Sequence, residues 1–357
     1  MPTKYSTALG ALSISMITAG VASAQDHQTI LPRATPLNIP GAYMPGELPP
    51  EPPEIAAQPS AGETHRNPHT AWTRIPNMKM IKPHLVRREN TFHAPATDLR
   101  AAGNLHAADA ATAQTTTTNN WSGVAVAGTP GQYRNAEITM SFGPIPYIAE
   151  AFGCTLHDQQ WHYTTIWTGT DGFGSGTVEQ AGIQVVSDCD GPEAIYAFIE
   201  TYPQPEVYID NFSINVGDMI DVWVWLTGSS TCAAWENETR NTFTSACLTN
   251  PGPIQASSIE WVVERPFVGP NLATLGNYIT IPAWSQIAWD QKTGGIFGAA
   301  ASEPTVWNST GSFYWINMLD GSGNVISEPN TRWWDTTLFY ATGSAYCSAG
   351  TICQPRY

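Results

Sequence analysis

Alternation of apolar and polar side chains dominates the sequence from about residue 119 onward. Ser257–Pro266 reads S-S-I-E-W-V-V-E-R-P, so Glu260, Val262 and Glu264 share one face of a strand while Trp261 and Val263 share the other. Similar short runs recur at Trp121–Ala127, Ala136–Phe142, Trp161–Thr168, Val178–Val186, Ala194–Tyr202, Ile220–Leu226, Ile279–Asp290, Phe313–Leu319 and Thr331–Ala341. Gly, Pro, Asn and Asp separate them, and no convincing amphipathic helix intervenes. This spacing predicts an all-β, antiparallel two-sheet sandwich. Ile195, Ala197 and Ile199 fall on one face of their strand, against Tyr196, Phe198, Glu200 and Tyr202 on the other. In the next run the aliphatics oppose Asp221, Trp223 and Trp225. An aliphatic face suits a core, and an aromatic, polar face has the make-up of a groove for an extended polymer.

The front of the chain lacks this pattern. Met1–Ala24 carries one early cation, Lys4, an apolar run through Ile17 and a closing Ala22-Ser23-Ala24, which reads as a secretory signal peptide. From residue 25 to about 60 the chain is Pro-rich and aperiodic, then basic, then Ala-rich up to a Thr run at 115–118. Residues 25–110 are therefore expected to be a largely irregular propeptide, and 111–357 the mature domain. Charge divides at the same place. Residues 1–110 hold nine of the fifteen Lys and Arg and eight of the thirty acids, a net of +1, which leaves −16 for the remainder. So acidic a domain repels nucleic acid and anionic membrane and suits an acidic medium. No other run approaches the roughly 20 apolar residues of a membrane span. A secreted monomer is expected, with the propeptide as a tethered partner of opposite charge.

All six cysteines lie in the acidic part, which in an exported chain argues for disulfides. Cys154 with Cys189, and Cys232 with Cys247, sit nearly symmetrically about turns, so pairing between neighbours is expected. Only His157 and His162 remain there to support histidine chemistry. Gly172-x-Gly174-x-Gly176 lacks the spacing and helix of a dinucleotide loop, and Asp188-x-Asp190-Gly191 is only a fragment of a calcium loop. No cofactor and no metal are expected. Neither G-x-S-x-G nor H-E-x-x-H occurs. Sequons stand at Asn120, Asn211, Asn237 and Asn308.

A set of landmarks in order carries a family resemblance: Asn120-Trp121-Ser122-Gly123, Trp167 with Gly169 and Asp171-Gly172, Gln180-x-Gly182, Glu200-x-Tyr202-Pro203, and Glu260-Trp261-Val262-Val263-Glu264. Together, over about Asn119 to Tyr346, they resemble the glutamic peptidases, or eqolisins. The resemblance implies a jelly-roll- or concanavalin-like sandwich and an acid-active endopeptidase whose catalytic residues fall on Gln180 and Glu264. It implies that Trp121, Trp167, Asp171, Glu200 and Tyr202 support or line the site. Tyr196 stands where some members carry Asp, Phe198 where they carry Trp, and Arg265-Pro266 where the fungal enzymes continue with acids.

Elementary chemistry agrees. Peptide hydrolysis needs a base for water, an acid for the departing amine and donors to the oxyanion. A Glu with a reference pKa of about 4.3 can do the first two in an acidic medium. A Gln amide donates to an oxyanion at any pH, and its carbonyl can orient the water. The competing readings are a secreted β-sandwich glycosidase and a non-catalytic carbohydrate-binding module. Glu260 and Glu264 fit the first poorly, since four strand residues separate them by roughly 13 Å where a retaining pair needs about 5 to 5.5 Å.

Overall fold

The computed structural model describes residues 35–36, 78–88, 91–96, 100–101, 114–141, 162–188, 191–275, 281–292, 295–300, 303–306, 311–329 and 339–343. All lie in the second of two compact units, residues 34–357. The expected signal peptide, Cys154, Cys189, Cys347, Cys353, His157 and the Asn308 sequon lie outside the described residues.

Inward-facing aliphatics and outward-facing polar residues build two antiparallel layers. The site-bearing layer runs, strand beside strand, Leu85–Arg87, Val207–Ile209, Gly191–Thr201, Val178–Asp188, His162–Asp171, Ser258–Glu264, Trp121–Ala127, Ser312–Leu319 and Gln114–Thr118. The second runs Lys79–Met80, Thr242–Thr249, Ser230–Asn237, Met219–Thr227, Tyr133–Ser141, Ile281–Asp290 and Gly295–Ala300. Among the described strands pairing is antiparallel except where Gln114–Thr118 joins Ser312–Leu319, Lys79–Met80 joins Thr242–Thr249 and Thr274–Leu275 joins His162–Asp171 in parallel. No helix occurs among the described residues, so none there is long and apolar enough to cross a membrane.

The core lies between the layers. Val124, Ile166, Ile183, Ile199, Ile259 and Val263 of the first meet Ile138, Met140, Val222, Val224 and Leu248 of the second, all buried. Two tryptophans stitch the layers through their polar edges: Trp235 Nε1 donates to the Gly182 carbonyl at 3.0 Å, and Trp261 Nε1 to the Glu137 carbonyl at 2.8 Å. A buried indole needs such a partner for its N–H.

Face assignment from the two-residue period holds on both layers, but the groove expectation divides. Tyr196, Phe198, Glu200 and Tyr202 share the outer face of the first layer with Trp121, Trp167 and Val262. Trp223 and Trp225 belong to the outer face of the second layer, among Cys232, Ala234, Phe243 and Cys247 under Met78 and Met80, and line no part of that groove. Sequence period gives the face and not the layer. Cys232 and Cys247 are directly opposed on adjacent strands and form a disulfide, as expected of that neighbour pair.

Candidate active site

Strand register assembles the site. Glu264 stands opposite Trp121 on one neighbouring strand and Thr165 on the other, with Val262 beside Trp167. Gly169 connects Glu260 on one side with Gln180 on the other, and Gln180 in turn faces Glu200. Close approach is possible because the facing positions are small. A Cβ on Gly182 would collide with Trp167 and the Ile166 backbone, and one on Gly169 would come within 2.9 Å of the Gln180 Cβ. Asp171 adopts φ 66° and accepts hydrogen bonds from the backbone N–H groups of Gln255, Ala256 and Ser257 and from the Ser257 hydroxyl, at 2.7–2.9 Å. That carboxylate fixes the turn that launches the Glu264 strand.

Glu260 and Glu264 share a face, as the alternation requires, but both are buried rather than solvated. The Trp167 indole donates to Glu264 Oε2 at 2.7 Å, and Asn120 Nδ2 reaches Oε1 at 3.4 Å. Burial pushes the Glu264 carboxyl above its usual range, against the lowering effect of His93 and the indoles of Trp167 and Trp121. Burial raises Glu200 and Glu260 well above theirs.

A segment of the basic front region fills this groove. Residues 85–87 pair with Val207–Ile209, and Thr91–Phe92 with Phe267–Val268. Beyond these anchors His93 enters the centre of the site. Its carbonyl accepts a hydrogen bond from Gln180 Nε2 at 2.9 Å, and its N–H donates to both oxygens of Glu200 at 3.1 and 3.0 Å. Its ring stacks on Phe198 with centroids 4.4 Å apart, meets Glu206 Oε2 at 2.9 Å through Nε2, and lies 3.5 Å from Glu264 Oε2 through Nδ1. The next carbonyl, of Ala94, accepts from Trp121 Nε1 and Asn120 Nδ2, both at 3.1 Å. Gln180 and Glu264 thus converge on one residue of an extended peptide. Burial alone would lower the His93 pKa, but hydrogen bonds to Glu206 and Glu264, with Glu200 nearby, raise it to about 10.

Of the residues singled out from sequence, Gln180, Glu264, Trp121, Trp167 and Glu200 contact this strap or one another. Asp171 supports the turn from behind. Tyr202 is half-buried against the Trp167 cluster, its N–H bonded to the Val178 carbonyl at 2.9 Å. Sequence reading passed over Glu206, Gln184 and the position of His93. Glu206 sits after Pro203-Gln204-Pro205 outside any regular run, and Gln184 is one more polar position on the Val178–Val186 run. The Gln184 amide accepts from the Tyr196 hydroxyl at 2.7 Å and lies 3.3 Å from His93 Nε2. Tyr196 and Phe198, which depart from the family pattern, are therefore both part of the wall around the His93 ring. The Asn120 and Asn237 sequons are buried, and both amides are hydrogen-bonded within the fold. No cluster of three His, Cys, Asp or Glu that could hold a metal occurs among the described residues.

Residues 119–317 match the model of the Peptidase A4 family. Among solved structures, scytalido-glutamic peptidase with a transition state analog inhibitor is similar at 15% identity and a TM-score of 0.48, over 63% of this chain and 98% of that one. SCP-B, a member of the Eqolisin family in complex with the tripeptide Ala-Ile-His, is similar at 14% and 0.43, over 63% and 98%. Aspergilloglutamic peptidase from Aspergillus niger is similar at 21% and 0.42, over 51% and 99%. No curated protein matched the chain.

Proposed function

This chain belongs to the Peptidase A4 family and is a glutamic endopeptidase; from that premise we propose that Glu264 and Gln180 carry its catalysis and that it is secreted as an acid-activated precursor. The observation that carries the reading is the peptide carbonyl of His93 on the Gln180 amide, with Glu264 at the same residue. A substrate carbonyl in that position has its oxygen on a neutral donor. Ionised Glu264 takes a proton from water as the water oxygen bonds to the carbonyl carbon, and Gln180 Nε2 stabilises the oxyanion. Glu264 then gives that proton to the amide nitrogen, the C–N bond breaks, and the carboxylate is restored. Trp167 holds the carboxyl during both transfers. Membership of a peptidase family displaces the glycosidase and sugar-binding readings.

Residues 25–110 act in this proposal as an inhibitory propeptide, removed after secretion directed by residues 1–24. Support comes from the strap, whose backbone occupies the groove as a substrate would. Glu264→Gln and Gln180→Ala are expected to abolish hydrolysis of denatured protein at acidic pH, with near-normal melting curves. Glu260→Gln is expected to retain substantial activity, since burial favours the neutral form of Glu260, which Gln mimics. On acidification the purified wild-type precursor is expected to shorten to a form beginning near residue 110, and the Glu264→Gln precursor to stay full length. Full activity in either dyad variant sinks the assignment. By family resemblance, pepstatin is not expected to inhibit.

A further inference from the structure

Among the described residues, two carboxylates in the groove take their hydrogen-bond and ion-pair partners from the strap alone. Glu200 and Glu206 are buried, and those partners are the N–H and ring of His93, and Arg88, whose Nε lies 3.9 Å from Glu206 Oε1. Removing residues 25–110 takes all of these away. The pocket left behind has a flat aromatic wall, Phe198, and a floor of Gln184 oriented by the Tyr196 hydroxyl. The Glu206 carboxylate is aimed at the volume that the His93 ring fills, 2.9 Å from Nε2, whereas Glu200 lies 4.0 Å from that nitrogen and turns both oxygens to the His93 main-chain N–H. A buried acid stripped of its cation is costly, and a site built to pair with a charged group rejects side chains that leave its own polar groups unpaired.

We infer that this pocket is a subsite selecting a basic side chain, histidine fitting best, on the substrate residue whose carbonyl meets Gln180, and that Glu206 determines the selection. The inference rests on the dyad reading above. Ring size comes from the Phe198 stack, and the partner for the ring nitrogen is Glu206. In the acidic medium where the enzyme works, a substrate histidine with a reference pKa of about 6.5 is cationic. Lysine matches the charge without the stack, and leucine or phenylalanine fills space without the charge.

The test uses mature enzyme, after removal of the propeptide, on otherwise identical peptides carrying His, Lys, Leu, Phe or Glu at one position. kcat/KM is measured in acidic buffer, and the products are sequenced. Wild type is expected to favour His over Leu by about tenfold or more, consistent with a hydrogen bond to a charged group, with the cut immediately after the varied residue. Glu206→Gln is expected to collapse the His-to-Leu ratio, chiefly by raising KM for the His peptide. A wild-type preference for Leu or Phe overturns the inference, as does a Glu206→Gln enzyme that keeps the ratio. If Glu206→Gln fails to fold, the wild-type series decides alone. An enzyme inactive on every peptide and on denatured protein overturns the dyad reading, and the inference with it; one that degrades protein without the basic preference overturns the inference only.

Discussion

Trp167 shows how much one side chain contributes to this site. Its indole N–H supplies the 2.7 Å hydrogen bond to Glu264 and helps draw the carboxyl pKa down against the effect of burial. Trp167→Phe keeps the aromatic bulk and removes that bond. A hydrogen bond to a charged group is worth about 1.5 to 3 kcal/mol, so kcat is expected to fall by roughly tenfold or more with little change in KM. The acid limb of the pH–rate profile is expected to move to higher pH, because the restraint that lowers the Glu264 pKa has gone. A profile that does not move would mean the indole only packs. Trp167, Gln180 and Glu264 were legible in the sequence because each lies on a periodic strand inside an ordered motif. Glu206 was not, because it sits in the short proline-containing connection between Gly191–Thr201 and Val207–Ile209, and its ring partner His93 comes from the front segment, far away in sequence. His93 belonged to a segment legible only as basic, and nothing in local pattern says which of six front-region histidines enters the groove.

Strands were read well wherever alternation was strong, and less well where small residues blurred it. Ser230–Asn237 and Thr242–Thr249 are rich in Ser, Thr, Ala and Cys, and sequence reading found the Cys232–Cys247 staple without listing the two strands it joins. A disulfide closing a loop of 15 residues stabilises by about 3 kcal/mol in the chain-entropy model. The double variant Cys232→Ala/Cys247→Ala is accordingly expected to lose about 3 kcal/mol in denaturant titration while still folding. A loss below about 0.5 kcal/mol, within the range of neutral surface changes, would show the strands held by packing alone. The strap is the other element-scale device. The raised His93 pKa means its ring strengthens docking most fully below about pH 6.5, the reference value, and loses that contribution as pH rises through about 10. If the strap leaves in acid, as proposed, the trigger therefore lies outside this ring, in loss of charge from the carboxylates of the −16 domain at large, which weakens its attraction for the basic front segment.

For the whole molecule, acidity shows first as the −16 balance of residues 111–357 and then, in the structure, as acids folded into places that favour the neutral form. Glu179 is buried and pushed up to about 9, by burial first and then by its neighbour Asp171. Burial also raises Glu200, Asp221, Glu260 and Glu264. In the unfolded chain these groups titrate near 4. Between about pH 4 and 9 the folded protein therefore holds protons that the unfolded chain has released, and stability falls as pH rises. Asp218 works the other way. Although desolvation opposes it, hydrogen bonds from Asn237 and Arg240 hold its carboxyl below the usual range, so its contribution is lost only in stronger acid. The raised set is larger and more deeply buried, so the melting temperature of the Glu264→Gln precursor, which cannot process itself in the proposed mechanism, is expected to be highest near pH 4 and to decline toward neutrality. Glu179→Gln, which supplies a neutral isostere, is expected to flatten that decline, recovering on the order of a few kcal/mol at neutral pH and little at pH 4. A melting temperature that climbs from pH 4 to pH 8 would refute the assignment of these carboxyls as proton-holding groups, and would leave the surface charge as the only acid adaptation of the domain.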